Sequence, residues 1–93
     1  MSDPVIYKDH EFKVGPRKGQ KERRTPYRYA DGFFRVYSPS GNLKYNTDAN
    51  ATKVATLAEV ARYVRQGYGL RMKGPYTSAA SLCVRDIVVE DHA

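Results

Sequence analysis

Residues 56–67 read TLAEVARYVRQG, and this stretch has the clearest helix signature in the chain. Thr56 and Glu59 form a capping box, in which the threonine hydroxyl accepts from the N3 amide and the glutamate reaches back to the cap. Apolar residues then recur at helical spacing and form one stripe, made of Leu57, Val60, Ala61 and Val64. Gly67 supplies the left-handed conformation that ends many helices. The segment predicts a helix over residues 57–66 that packs one face against a sheet.

The segments on either side of this helix favour β-strands. Asp31-Gly32 is a tight-turn signal between two β-prone runs, and period-2 alternation places Phe34 and Val36 on one face and Arg35 on the opposite, wetter face. The predicted strands are residues 27–29, 33–37, 43–46, 68–73 and 82–90, with residues 5–7 as a candidate edge strand. The sequence therefore predicts an α+β domain, a twisted antiparallel sheet of four to five strands with one helix on one face, in the order β-β-β-α-β-β.

Residues 15–26 read GPRKGQKERRTP and differ in composition from the rest of the chain. The segment has two prolines, two glycines and no aliphatic side chain, so it buries too little surface to offset the entropy of ordering it. We therefore expect a flexible basic arm within an N-terminal segment of residues 1–26, followed by a single small α+β domain over residues 27–93.

The positive charge of the chain is concentrated around this arm. The formal net charge is +6, and residues 13–28 hold seven basic residues against Glu22 alone, whereas basic and acidic residues balance in the rest of the sequence. Lysine and arginine neutralise phosphates and release counterions, and aromatic side chains beside arginines suit stacking on unpaired bases. The candidate nucleic-acid-binding residues are Arg17, Lys18, Lys21, Arg23, Arg24, Tyr27, Arg28, Arg35 and Lys44.

The sequence lacks the signatures of catalytic and metal sites. Cys83 is the only cysteine, which excludes an internal disulfide and a site made of several cysteines. His10 and His92 lie near opposite ends of the chain, where solvated polar residues are the usual case. No Walker loop, dinucleotide-binding glycine motif or nucleophile elbow occurs. We expect no enzymatic activity, no cofactor and no metal.

No apolar run approaches the length of a membrane span, and the N-terminal residues lack the apolar core of a signal peptide. We therefore expect a cytoplasmic protein without a membrane partner. The single cysteine is consistent with a reducing compartment.

Three segments in the second half of the chain are similar to a known family. Residues 43–47 read LKYNT, residues 54–60 read VATLAEV and residues 64–67 read VRQG. Their order resembles the N-terminal domain of polyhydroxyalkanoate synthesis repressors, where a leucine-tyrosine-threonine segment precedes a threonine-leucine pair and a short helix ending in Arg-x-Gly. The paired arginines of that family's basic run have no counterpart here, so its DNA-contact residues do not transfer. The resemblance implies a DNA-binding regulator.

Two classes of partner are compatible with these features. The basic arm and the neighbouring tyrosines favour nucleic acid, with DNA preferred over RNA, and a regulatory role in a bacterium or phage. The alternative is a small inhibitor or adaptor that docks on an acidic surface of a partner protein. A third interpretation is a subunit of a larger assembly whose arm orders on contact. The oligomeric state is left open by the sequence.

Overall fold

The fold is α+β, as predicted, but it has more strands than the sequence indicated. The computed structural model describes residues 3–40, 51–75 and 82–91, and within them the chain forms one helix and seven strands. The strands are β1 (Val5–Glu11), β2 (Lys21–Pro26), β3 (Phe34–Tyr37), β4 (Thr52–Val54), β5 (Gly69–Lys73), β6 (Leu82–Val84) and β7 (Val88–Glu90). Neighbouring strands are antiparallel, in the order β4-β3-β5-β2-β1-β7, and β6 pairs with β5.

Helix α1 (Leu57–Arg65) forms where the sequence predicted it. The Glu59 amide donates to the Thr56 hydroxyl at 3.2 Å, which confirms the N-cap. Val60 and Ala61 are buried, and Leu57 and Val64 pack beside them, so the predicted stripe faces the sheet. The helix lies against β3, β4 and β7.

The core lies between this helix and one face of the sheet. Registers Phe34–Val54 and Val36–Leu70 place aliphatic and aromatic side chains together on the helix side. The buried cluster consists of Ile6, Phe34, Val36, Val54, Val60, Ala61, Leu70 and Met72. Because side chains alternate along a strand, the neighbours of these residues project from the other side of the sheet, which we call the helix-free face.

The prediction of a flexible arm is wrong for residues 21–26, which form strand β2. This strand pairs with β1 over residues 21–24 and with β5 over residues 25–26, so each of its residues is paired with a neighbouring strand. The turn before it is also hydrogen-bonded, since Gly19 N–H donates to Phe12 O at 2.8 Å and Phe12 N–H to Gln20 O at 3.0 Å. Composition misled here because a polar strand is stabilised by its neighbours rather than by its own apolar content.

Two other strand predictions need correction. Residues 27–29 are not a strand, and residues 82–90 form two short strands with Asp86 between them at a positive φ of 59°. The predicted strand at residues 43–46 lies outside the described residues. Strand β1 is longer than the predicted residues 5–7 and lies between β2 and β7 rather than at an edge.

Strands β2 and β3 lie end to end along a single edge of β5. Leu70 pairs with Val36 of β3 and Met72 with Pro26 of β2, while the same two residues pair with β6. A strand has only two edges, so β6 occupies one and β2 and β3 share the other.

Between these two strands the chain leaves the sheet and returns to it. Tyr27 N–H still donates to Arg71 O at 3.0 Å, and pairing with β5 resumes at Val36. We call residues 28–33 the excursion. Its tight turn is the predicted one, with Gly32 at a φ of 87° and its N–H donating to Tyr29 O at 2.9 Å. The turn thus carries aromatic and basic side chains to one place beside β5.

Candidate nucleic-acid interface

An open groove of about 440 Å³ lies where β2, the excursion and the end of β5 meet. It is lined by Arg23, Thr25, Pro26, Tyr27, Arg28, Lys73, Gly74 and Pro75. Three of these side chains are cationic and none is a carboxylate. The lining therefore combines positive charge with an aromatic ring and a glycine-proline segment.

A row of two neighbouring rings, with a cation at each end, extends from this groove over the helix-free face. Lys73 Nζ lies 5.8 Å from the centre of the Tyr27 ring, and Tyr27 meets Tyr29 in an edge contact with ring centres 5.0 Å apart. The guanidinium of Arg35 stacks over Tyr29 at 4.2 Å. We call Lys73, Tyr27, Tyr29 and Arg35 the aromatic–cation row. Each of these contacts is worth roughly 0.5–1.5 kcal/mol, so the row holds its own rings in place.

Asp31 fixes the excursion against the row. Its carboxylate accepts from Arg35 Nη2 at 2.6 Å and from the Phe33 amide at 3.0 Å, and Lys53 Nζ lies 3.9 Å away. The hydrogen bond from Arg35, with that from the Phe33 amide, holds the pKa of Asp31 below its ordinary value. The carboxylate is therefore ionised at neutral pH and neutralises part of the charge on Arg35 and Lys53.

On the other side of the groove, Arg23 is held by a paired carboxylate and a ring. Its Nε and Nη2 donate to the two oxygens of Asp9 at 2.9 and 3.2 Å, and its guanidinium lies 3.9 Å from the centre of the Tyr7 ring. The hydrogen bond from Arg23 lowers the pKa of Asp9. Arg23 is thus positioned at the groove by contacts on β1, with part of its charge neutralised.

Arg71, which is half-buried, and Tyr37 form a polar pair on the helix-free face. Arg71 Nη2 and Nε donate to the Tyr37 hydroxyl at 3.1 and 3.3 Å, and Tyr37 is fully buried. Burial raises the pKa of the Tyr37 hydroxyl, against the opposing effect of Arg71. The helix-free face at this point is therefore packed and polar rather than wet.

Comparisons with family models, curated proteins and solved structures found no match for this chain. The resemblance to the polyhydroxyalkanoate synthesis repressors stays a prediction. No helix within the described segments is long and apolar enough to cross a membrane, and no group of three or more His, Cys, Asp or Glu that could hold a metal occurs there.

The structure brings four of the predicted site residues to one side of the molecule. Arg23, Tyr27 and Arg28 line the groove, and Arg35 stacks on the neighbouring Tyr29. Arg28 is exposed, donates to Gly32 O at 3.2 Å and lies over the Phe34 ring. Arg35 is 7% exposed, which makes it a positioning residue for the row rather than a surface contact.

Arg24 does not belong to the interface. It is 4% exposed and faces inward from β2, where its Nη2 lies 3.5 Å from Oε2 of the buried Glu22. Sequence charge alone could not reveal this, because alternate residues of a strand point to opposite faces. In this arrangement the guanidinium cannot reach a phosphate outside the protein.

The remaining predicted residues lie around the β1–β2 turn or outside the described chain. Arg17 stacks on Phe12 at 4.1 Å, Lys18 is exposed in the turn, and Lys21 is exposed opposite Glu11 of β1. Lys44 lies outside the described residues. None of the three described residues lines the groove.

Sequence reasoning missed Lys73 and Lys53. Lys73 enters the groove through the Thr25–Lys73 register, and Lys53 sits opposite Arg35. The Gly74-Pro75 break after a basic strand residue was a visible signal, since strand ends often border binding sites. The partner strand β2 could not be seen in the sequence, because the composition of residues 15–26 predicts a flexible arm.

Proposed function

We propose that this protein binds nucleic acid through the groove and the aromatic–cation row. The observation that carries the proposal is the groove lining, which joins Tyr27 to Arg23, Arg28 and Lys73 without a carboxylate among the lining residues. Cations placed around an aromatic ring match a ligand that alternates phosphates with flat bases. A regulatory role in a bacterium or phage is part of the same proposal.

The scaffold supports this function because it presents the cations from paired strands. Thr25 and Lys73 are register partners, so Lys73 is fixed relative to the β2 side of the groove. Arg28 is tethered by its hydrogen bond to Gly32 O and by the Phe34 ring. Groups held in place before binding lose less entropy when a ligand arrives.

The test removes the two least neutralised groove charges. An Arg28→Ala, Lys73→Ala double variant is compared with Lys18→Ala, Arg62→Ala, which removes two exposed charges outside the groove. Binding of labelled single- and double-stranded oligonucleotides is followed by fluorescence anisotropy from about 50 to 200 mM salt. We expect the groove variant to lose affinity for unrelated sequences alike and to flatten the logarithmic salt slope by up to about 1.5–2.

The control variant should keep the affinity and the slope close to those of the wild type. Equal losses in the two double variants would place the electrostatic site outside the groove. Absence of binding to every oligonucleotide at low salt would refute the proposal.

One observation favours protein docking as a second candidate function. The outward face of the β1–β2 hairpin is close to charge-balanced, because Asp9 pairs with Arg23 and Glu11 lies opposite Lys21. Mixed charges of this kind suit a protein surface better than a polyanion. A stoichiometric protein retained in a pull-down after nuclease treatment, with no oligonucleotide binding, would support this candidate.

A further inference from the structure

Tyr27 differs from four other described rings in how its face is covered. Guanidinium groups stack on Phe12, Tyr7, Phe34 and Tyr29 at 4.1, 3.9, 4.6 and 4.2 Å from the ring centres. The cation nearest to Tyr27 is the Lys73 ammonium, at 5.8 Å and on a flexible stem. Tyr27 is the aromatic residue of the groove lining, and no planar group from the described residues is stacked on it.

The Tyr27 ring is nevertheless held in place. Its backbone N–H donates to Arg71 O at 3.0 Å, which anchors the residue to β5. Tyr29 meets it in an edge contact with an angle of 67° between the ring planes, and Tyr29 is itself stacked by Arg35. An edge contact supports a ring without covering both of its faces.

The surroundings of the ring fit a flat group that is linked to phosphate. The groove volume of about 440 Å³ lies within the usual range of roughly 300–1,000 Å³ for small-ligand sites. Arg28 and Lys73 border the same space and offer donors for phosphate oxygens. A base stacked on Tyr27 would have its own backbone within reach of these cations.

We infer that Tyr27 is a stacking platform for one unpaired nucleobase, so that the groove takes single-stranded nucleic acid in preference to duplex. The inference rests on the proposed function and specifies the ligand class of that same groove. Bases in a duplex stack on one another and present only their edges, whereas an unpaired base offers a full face to an aromatic ring.

The test separates base stacking from attraction to the backbone. Wild type, Tyr27→Phe and Tyr27→Leu are titrated with three labelled ligands of about 12 nucleotides: a single strand, an abasic strand with the same number of phosphates, and a duplex. The single strand is used as DNA and as RNA, so that the two sources of the same chemistry are distinguished. Leucine keeps apolar bulk but lacks a π face, which makes Tyr27→Phe its matched control.

We expect the wild type to bind the single strand more tightly than the abasic strand or the duplex. Tyr27→Leu should lower the affinity for the single strand by about 5- to 150-fold, which is the usual contribution of one stacked base. Its affinity for the abasic strand should fall by less than about twofold. Tyr27→Phe should stay within about threefold of wild type on all three ligands. Circular dichroism melting of each variant confirms that the fold is retained.

A second measurement does not depend on a folded Leu variant. On titration of the wild-type protein with a single-stranded oligonucleotide, the Tyr27 ring protons should shift upfield because a stacked base adds its ring current. Equal affinity of the wild type for the single and abasic strands, or unchanged Tyr27 ring resonances at saturation, would overturn the stacking inference and leave nucleic-acid binding standing. Failure of every ligand to bind would overturn both.

Discussion

The least expected residues of this domain are Glu22 and Arg24, which are buried together on the inward face of β2. Their relative exposures are 1% and 4%, and the carboxylate has Arg24 at 3.5 Å and Arg17 at 4.0 Å. Within the described residues, Nε and Nη1 of Arg24 have no hydrogen-bond partner. Breaking a buried pair leaves a charge without compensation, which costs much more than the pair contributes to stability.

We therefore expect Glu22→Gln to destabilise the fold by about 3–5 kcal/mol, because Arg24 remains buried without its counter-charge. In a domain of this size each kcal/mol lowers Tm by roughly 4–8 °C, so thermal melting gives a clear readout. The matched control is Glu11→Gln on the exposed side of the same hairpin, which should change Tm very little. Comparable melting curves for the two variants would show that the Glu22 carboxylate is not needed for stability.

Gly74 is tied to the same carboxylate. A Cβ added at this position would collide with the Glu22 side chain, which is buried and has little room to move. Gly74→Ala should therefore destabilise the protein by about 1–3 kcal/mol. In a double-mutant cycle with Glu22→Ala the two costs should not add, because the second change removes the group that the new methyl would strike. Additive costs in denaturant unfolding would contradict this contact.

At the scale of elements, local signals were sufficient for the helix and insufficient for β2. The capping box, the apolar stripe and Gly67 all lie within twelve consecutive residues, and the structure confirms the helix to within one residue at its end. Strand β2 has no apolar period, and its stability comes from β1 and β5, which are its neighbours in the sheet. The groove was missed for the same reason, since Lys73 meets Tyr27 only through that pairing.

The helix offers a direct test of its packed face. Val60 is fully buried, so Val60→Asp places a charge in the core without a partner and should unfold a domain of marginal stability. Arg62 is exposed on the opposite side of α1, and Arg62→Asp should alter Tm by only a few degrees. Equal melting temperatures for the two variants would show that the face of α1 containing Val60 is not the one packed against the sheet.

The excursion is expected to respond to acid through Asp31. The pKa of this carboxyl is lower in the folded protein than its ordinary value, chiefly because Arg35 donates to it. The contribution of the ionised Asp31 to the stability of the fold is therefore complete above the unfolded pKa of about 3.9. It is lost as the pH falls through the lower pKa of the folded state. The Phe33 amide, which donates to Asp31, should show this titration by NMR. Asp31→Asn should abolish the titration, and an unchanged pH profile in that variant would exclude Asp31 as its cause.

At the scale of the whole molecule, the net charge of +6 overstates the charge available to a ligand. Among the described residues, six cations lie within 4.0 Å of a carboxylate oxygen: Arg17, Arg23, Arg24, Arg35, Lys53 and Arg65. Arg28 and Lys73 have no such partner in the described chain and lie beside the groove. Lys13, Lys18 and Lys21 around the β1–β2 turn also have no such partner there, so the groove is a small electrostatic footprint beside a second group of cations at the turn.

The salt dependence of binding should reflect this small footprint. Contact of phosphates with Arg23, Arg28 and Lys73 gives a logarithmic slope of about −2 on single strands, where each contact contributes about −0.7. If six cations, equal in number to the net charge of +6, contacted phosphates, the logarithmic slope on single strands would be about −4. Anisotropy titrations at several salt concentrations distinguish the two values. A slope near −4 would show that the β1–β2 turn also contacts the ligand.

The shared edge of β5 also sets the order in which the chain can assemble during synthesis. Strands β2 and β3 leave the ribosome well before residues 69–73, and at about 5–20 residues per second they wait some seconds for their common partner. Until then the β1–β2 hairpin is a lone two-stranded unit, which is marginal in water. A nascent chain arrested after residue 68 should therefore be digested readily by protease, whereas the released protein resists, so that the groove exists only once residues 69–73 have joined the sheet.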